Sequence, residues 1–465
     1  MMKLRNAIVT SVLLSLSAVS VYANSAMSVW RGTDGYGVTV TDGECPLIVE
    51  HETLSFHIED YPQMHYDNPQ EFYDLKSSVT AEYTIHNPSD MEITAKLLFP
   101  FGAGPFYAPY DPETGREFYP DPKLYHVMTD GQDAGAVLRF SFATRESFSL
   151  EEDLPEVQDA YCTDSFYRPD LPVHEFVYSV SGIDDAETAA AAKRRILYNP
   201  AQTKILCDPF NGGTIETGNV RIQTWVENDM EIRLYYLGDL PEDDGEWEVV
   251  KSGTEETPIA GNLELISEQE YSFETFALRE RPQDSAVSET DWYNAYVSYL
   301  EWAGNSSGVI ESAFSGFTEN SLMHWYEYEI HLNPGETVIN TVTVPLYPEI
   351  DNGWDEPVYT YTYLLSPAKT WKEFGSLDID INAAYEMTGS SLGSFQKTEQ
   401  GYHKELKGLP DKELEFSLCS ISNPKRNTRY YGYLVLGFLG VSAVIFLLLV
   451  WLFIKILKAV FGRKK

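Results

Sequence analysis

The chain has 465 residues and carries 71 Asp and Glu against 33 Lys and Arg, a net charge of −38. A field of that sign repels phosphate backbones and anionic headgroups, which excludes a nucleic-acid-binding protein. It suits solubility in a salty exterior, and charge alone specifies no attraction for divalent cations or basic peptides.

The N-terminus reads as a signal peptide over 1–23. Lys3 and Arg5 precede an apolar run over 8–21, and Val21-Tyr22-Ala23 places small residues where a signal peptidase cuts. Cleavage is expected after Ala23, with Ala26 the alternative. Near the other end, residues 434–454 are uncharged and long enough to cross a hydrocarbon core of about 30 Å. The expected transmembrane helix is 432–454, and the basic tail 455–465 carries Lys455, Lys458, Arg463, Lys464 and Lys465 on the cytoplasmic side. Asn423-Pro-Lys-Arg-Asn-Thr428 is not a sortase motif, so the anchor reads as permanent. The expected localisation is therefore the cell membrane, single-pass, with the N-terminal region outside. Removing the signal and tail cations leaves 26 basic residues against the same 71 acidic ones on that region.

Between these ends, aromatic residues make up 14% of the chain and recur at alternating positions, the pattern of strands with one buried face. Residues 45–50 and 54–58 read as short strands. His51, Glu52 and His57 do not make a zinc motif, because the six-residue spacing lies in a strand and cannot place both imidazoles on one helix face. Val79, Ala81, Tyr83 and Ile85 share a face, then Asn87-Pro88 sets a turn, and Ile93, Ala95, Leu97 and Phe99 share the next. Asp130-Gly131 reads as a hairpin turn between 124–129 and 135–140.

This run of an alternating strand, an Asn-Pro-Ser turn, a strand ending in Phe-Pro and an Asp-Gly turn resembles the vault/inter-alpha-trypsin (VIT) β-sandwich over 79–140. The resemblance implies a sandwich. Such domains are partnered by a von Willebrand A domain in their best-known hosts, but no Asp-x-Ser-x-Ser loop occurs here, so that partner and its metal chemistry do not carry over. The overall layout is similar to that of uncharacterised membrane-anchored surface proteins of Gram-positive bacteria.

Residues 183–197 read as a helical insertion, with acids at the start, alanines in the middle and Lys193-Arg194-Arg195 at the end. Cys162 and Cys207 flank it. The four cysteines are even in number and all precede the span, which in an oxidising compartment favours bridges. Of three connectivities, Cys162–Cys207 with Cys45–Cys419 is preferred. None of the four sits where its thiol would be activated as a nucleophile. Residues 220–226 and 231–237 read as a hairpin, and 263–278 as two strands. The acidic run Glu242–Glu246 lacks the spacing of a calcium loop and reads as a solvated turn.

Residues 288–303 read as a helix capped by Ser288, with Trp292, Tyr296, Tyr299, Leu300 and Ala303 in one apolar stripe. That stripe is read as core in preference to a sugar-stacking surface. Asn305-Ser-Ser307 fits a glycosylation pattern. From His324 the alternation returns through 325–332, 338–344, 359–365, 377–381 and 414–418.

The expected fold is mainly β, with two β-sandwich domains carrying helical insertions and one C-terminal transmembrane helix. The expected domains are a β-sandwich region over 27–280, a helical segment over 281–322 and a second β-sandwich region over 323–422. No catalytic, cofactor-binding or metal-binding residue set is legible: there is no Gly-x-Ser-x-Gly elbow, Walker loop or dinucleotide glycine pattern. The leading functional reading is a non-catalytic surface protein that meets a protein or glycan partner on the exterior. A membrane-tethered hydrolase of envelope polymers and a structural subunit of a membrane complex are the alternatives.

Overall fold

The computed structural model describes residues 35–36, 39–40, 45–102, 105, 107–109, 126–142, 154–184, 189–251, 257–283, 285–304, 307–311, 317–319 and 322–427. The expected signal peptide with its cleavage at Ala23, the span 432–454 and the tail 455–465 lie outside these residues. Among the described residues no helix is long and apolar enough to cross a membrane. The fold is mainly β.

An eight-stranded sheet forms the largest layer. Its order is Gln396–Lys397, Gly401–Lys407, Phe374–Ala383, Ile48–Ile58, Ser78–His86, Thr337–Pro345, His126–Thr129 and Gln132–Asp133. Leu54, Phe56, Val79, Ala81, Tyr83, Ile85, Val342, Val344, Leu377, Ile379 and Ile381 all turn to one side because side chains alternate along a strand. Two smaller sheets cover that side. One holds Ile93–Gly102, Leu322–Leu332 and Val137–Phe142; the other holds Val358–Leu364, Leu414–Cys419 and Glu386–Ser390. All three sheets share one apolar core, where burial of each large side chain stabilises by roughly 1.5–3 kcal/mol.

Both strands around Asn87 form, but they do not pair with each other. Ser78–His86 pairs with Ile48–Ile58 and Thr337–Pro345, whereas Ile93–Gly102 pairs with Leu322–Leu332. The turn thus carries the chain from one layer to the other. Asn87 is fully buried there and holds two loops together: its amide donates to the carbonyls of Met91 at 2.7 Å, Asn333 at 3.1 Å and Leu332 at 3.3 Å, while its oxygen accepts from the Ser89 hydroxyl at 2.7 Å. An Asn87→Ala protein is expected to lose about 1–3 kcal/mol of stability, because the buried Leu332 carbonyl and the half-buried Met91 and Asn333 carbonyls lose their donor. Urea titration followed by tryptophan fluorescence measures it; a loss below about 0.5 kcal/mol would mean that the turn holds without this clip. The Asp130-Gly131 turn is present, with φ of 49° and 74°, and it joins 126–129 to the short strand 132–133. Val137–Phe142 then enters the other sheet instead of completing a hairpin.

The expected division at 281–322 is corrected by the pairing. Leu322–Leu332 lies between Ile93–Gly102 and Val137–Phe142, so it belongs to the same sheet as the N-terminal strands and opens no new sandwich. What separates 142 from 322 in sequence is an inserted unit with two five-stranded sheets. The first runs Asn262–Ser272, Pro172–Ser181, Glu231–Gly238, Thr203–Asp208, Val309–Ile310. The second holds Gly212–Glu216, Asn219–Trp225, Ala190–Leu197 and, beside it, Asp243–Asp244 and Glu248–Lys251. Their facing sides make one core, and helices Phe273–Leu278 and Glu289–Gly304 cover the far side of the first sheet.

Two helix and strand assignments change here. The expected helix 183–197 is a strand from Ala190 onward, paired on both sides with Asn219–Trp225 and Glu248–Lys251. Helix propensity is a weak prior, and Ala190, Ala191 and Ala192 gain complete burial in a central strand. Residues 273–278, expected as strand, make a helical turn whose N-cap Ser272 accepts from the Thr275 amide. The second helix is as expected: Ser288 caps it at 3.0 Å from the Asp291 amide, and Trp292, Tyr296, Tyr299 and Leu300 are core.

One ionic cluster fastens the insert to its host. Arg139, on the host strand Val137–Phe142, donates from Nε to both oxygens of Asp291 at 3.1 Å and from Nη2 to Asp291 Oδ1 at 2.9 Å. Its other donors reach Asp159 at 3.0 Å, Glu327 at 2.5 Å and the Gln158 carbonyl at 2.6 Å. Asp291 also accepts from the Phe140 amide at 3.1 Å. Burial alone would depress the Arg139 guanidinium, but the Asp291 hydrogen bond and the Asp291 and Glu327 charges overcome it and raise it further.

Candidate functional site

The outer face of the second inserted sheet presents a groove. Along Ala190–Leu197, Ala190, Ala192 and Ile196 enter the core, so Lys193 and Arg195 turn the other way. On Asn219–Trp225, Val220 and Ile222 are core, and Arg221, Gln223 and Trp225 share the outer face. Cross-strand register sets Arg195 opposite Arg221, Lys193 opposite Gln223 and Ala191 opposite Trp225. Thr214 lies on the far side of Arg221, and Glu248 on the far side of Lys193. Lys193, Arg195, Arg221, Thr214 and Glu248 line a groove of about 570 Å³ together with Arg194, Glu216, Asn219, Gly245 and Glu246, while Gln223 and Trp225 lie on the same face outside its lining.

Arg194, between the two outward cations, points inward. Its Nε lies 2.7 Å from Asp244 and its Nη1 donates to the Tyr178 hydroxyl at 2.7 Å, with the guanidinium over the Tyr178 and Trp247 rings. This pins the middle of the basic triplet and fixes which way its neighbours face. The Tyr236 hydroxyl donates to the same Asp244 at 2.6 Å. Asp244, part of the acidic run 242–246, is therefore engaged in an internal ion pair. Among the described residues no group of three His, Cys, Asp or Glu could hold a metal ion. Trp225 is 63% exposed one row along from Lys193, which is itself buried.

A second perturbed cluster lies in the host core. Glu52 is fully buried; burial pushes its carboxyl up to about 8, against the opposing bonds from Tyr83 and Tyr363. The Tyr363 hydroxyl donates to Glu52 Oε1 at 3.4 Å, and Tyr83 and Tyr363 share a hydrogen bond at 3.1 Å. Glu52 Oε2 is buried without a hydrogen-bond partner. His51 and His57 lie on the opposite side of the same strand. His51 contacts Ser376 at 2.8 Å and approaches Asp378 at 3.6 Å, so the strand alternation splits the His-Glu-His trio across the sheet.

All four cysteines are free thiols, and neither expected bridge is formed. Cys207 faces the core between the inserted sheets, where burial pushes its thiol up to about 12. Its neighbour Leu206 packs on the helical side, and that is the side where the Cys162 amide donates to Asn294 Oδ1 at 2.8 Å. The sheet stands between the two sulfurs. Cys419 is buried at the end of its strand with its thiol toward the Glu356 carbonyl, while Cys45 precedes the strand Ile48–Ile58 of a different sheet.

Lys193, Arg195 and Arg221 were visible in the sequence as charges, but the helical reading of 183–197 put the triplet at a helix end. Alternation applied to 193–195 would have separated the outward pair from the inward Arg194. No signal along the chain announced Trp225 as a neighbour of that pair, because the register between 190–197 and 219–225 is a tertiary fact.

No protein-family model matches the chain, and no curated protein matches it. Among solved structures, the chain is similar to a candidate nutrient binding protein of Legionella pneumophila, with 8% identity and a TM-score of 0.27, over 83% of this chain and 71% of that one.

Proposed function

We propose that this chain is a non-catalytic binding protein displayed on the outside of a membrane, and that its groove takes an acidic glycan. The observation that carries the reading is the meeting of Lys193, Arg195 and Arg221 along one groove in a chain with more than twice as many acidic as basic residues. Guanidinium groups suit planar carboxylates because they offer paired donors in a fixed fork. Glu216, Glu246 and Glu248 on the same walls suit the hydroxyl donors of a sugar and oppose a bare anion, which has none to give. On the same face, outside the groove's lining, the exposed Trp225 ring offers a flat apolar surface for a pyranose face.

The hydrolase alternative lacks such support. Glu52, whose carboxyl is pushed furthest up, is sealed in the host core and cannot come within hydrogen-bond reach of a substrate. Display outside a membrane rests on the sequence: the apolar stretch 434–454, its basic flank and the N-terminal signal pattern support it.

Titration calorimetry of the full chain in nanodiscs against trigalacturonate, with maltotriose as the neutral control, tests the reading. Binding of the acid and not of the neutral sugar is expected. The double variant Arg195→Gln, Arg221→Gln is expected to weaken it by at least about tenfold. Equal binding of both sugars, or unchanged affinity in the double variant, would remove the groove from consideration.

A further inference from the structure

Among the described residues, the strand Asn262–Ser272 closes one edge of the first inserted sheet and pairs on one side only, with Pro172–Ser181. It is eleven residues long, and most of its side chains are exposed. Proteins usually keep edge strands short or covered, since a long one offers a row of backbone groups for another strand to join. At its middle sit Leu265 and Ile266, 45% and 52% exposed, at a bulge between Leu265 and Ser267. Glu264, Glu268 and Glu270 surround that apolar pair, and Glu270 approaches His174 at 3.6 Å.

We infer that this edge is a strand-addition site for an extended peptide segment carrying basic side chains on both sides of a short apolar centre. Charge decides the occupant. The bulge turns Glu264 to one face of the sheet, in register with Ser179, and Glu268 and Glu270 to the other, in register with Phe176 and His174, so both faces of this edge carry carboxylates. The same carboxylates favour Lys or Arg opposite them, while Leu265 and Ile266 pack on the partner's apolar pair. Main-chain hydrogen bonds supply the affinity and the charges supply the choice. The site lies on a different sheet from the groove and stands independently of the glycan reading.

The test uses the full chain in nanodiscs and a fluorescein-labelled peptide, Lys-Thr-Lys-Val-Val-Lys-Thr-Lys, followed by anisotropy. Saturable binding is expected. It should fall at least about tenfold when every internal backbone nitrogen of the peptide is methylated, since such a peptide cannot join a ladder. The variant Glu268→Lys, Glu270→Lys should lose the basic peptide by a similar factor and gain the peptide with Glu in place of Lys. The variant Arg195→Gln, Arg221→Gln should bind the basic peptide unchanged. Equal binding of the methylated peptide, or an unchanged affinity in the charge-reversed variant with its melting point intact, overturns the proposal. A concentration-dependent dimer of the unmodified chain that dissociates on Leu265→Lys, Ile266→Lys would assign the edge to a second copy and overturn it as well.

Discussion

Exchanging Asp291 for alanine is expected to lower the unfolding free energy by about 3–5 kcal/mol, the usual loss when one partner of a buried ion pair is removed. Asp291 is 1% exposed and accepts from Arg139 Nε, Arg139 Nη2 and the Phe140 amide. Deleting its carboxylate leaves Arg139 Nε without an acceptor, leaves Nη2 with only the Gln158 carbonyl, and orphans a buried amide. Glu327 and Asp159 keep the third arm occupied, so the charge is not abandoned, and the loss should sit at the lower end of that range. Arg139→Met alone should cost a similar amount, because it leaves the Asp291 carboxylate buried. The double variant should cost clearly less than the two singles added together, by more than about 1 kcal/mol. Denaturant titration of the four proteins gives that coupling. Simple additivity would show that the insert is held by its apolar contacts and that the ionic fastening contributes little.

The second large effect concerns pH. Glu52 ionises near 4.5 when exposed and at about 8 in the folded protein, because burial opposes its charge. The folded state therefore keeps a proton that the unfolded chain releases. Stability is fully present below pH 4.5, falls as pH rises through 8, and is flat in this group's contribution above that. The total loss is on the order of 5 kcal/mol. Tyr83 and Tyr363 face the carboxyl, and Tyr328 stands beside Tyr83; burial holds Tyr83 and Tyr363 well above the usual phenol range, so they stay neutral throughout this window. Glu52→Gln removes the titration. It is expected to leave stability nearly unchanged at pH 5 and to raise it by several kcal/mol at pH 8.5, read as the change in melting temperature between the two pH values. Parallel pH profiles for the variant and the unmodified chain would place the alkaline sensitivity elsewhere.

The host sandwich was largely legible because its strands alternate cleanly. Val79, Ala81, Tyr83 and Ile85, then Ala95, Leu97 and Phe99, are buried as the alternation requires. Pairing was not legible from the same signal. Asn87-Pro88 reads equally well as a hairpin turn and as a corner between layers, and the three carbonyls that Asn87 reaches include two from residues 332 and 333. The inserted unit was misread where local preference and burial conflict. Ala190-Ala191-Ala192-Lys193-Arg194-Arg195 favours a helix by itself, but strands on both sides bury the alanines and give Arg194 an internal carboxylate. The helix 289–304 was legible because its cap, its acidic first turn and its aromatic stripe all agree with its burial. The groove escaped for the reason the strand did, since its residues meet only through register.

The nesting of the insert between two neighbouring strands has a consequence for the order of events during synthesis. Every strand of its two sheets lies within 172–310, so this unit can close as soon as those residues leave the ribosome. The host cannot. Ser78–His86 waits for Thr337–Pro345, and Ile48–Ile58 waits for Phe374–Ala383, its parallel neighbour, more than 300 positions downstream. Closing so long a loop costs entropy, and a prefolded insert whose ends, Phe142 and Leu322, pair side by side takes 143–321 out of the effective loop. The middle of the chain thus acts as the template on which the two outer parts meet, while Ile48–Ile58 and Ser78–His86, already paired with each other, wait for their C-terminal neighbours.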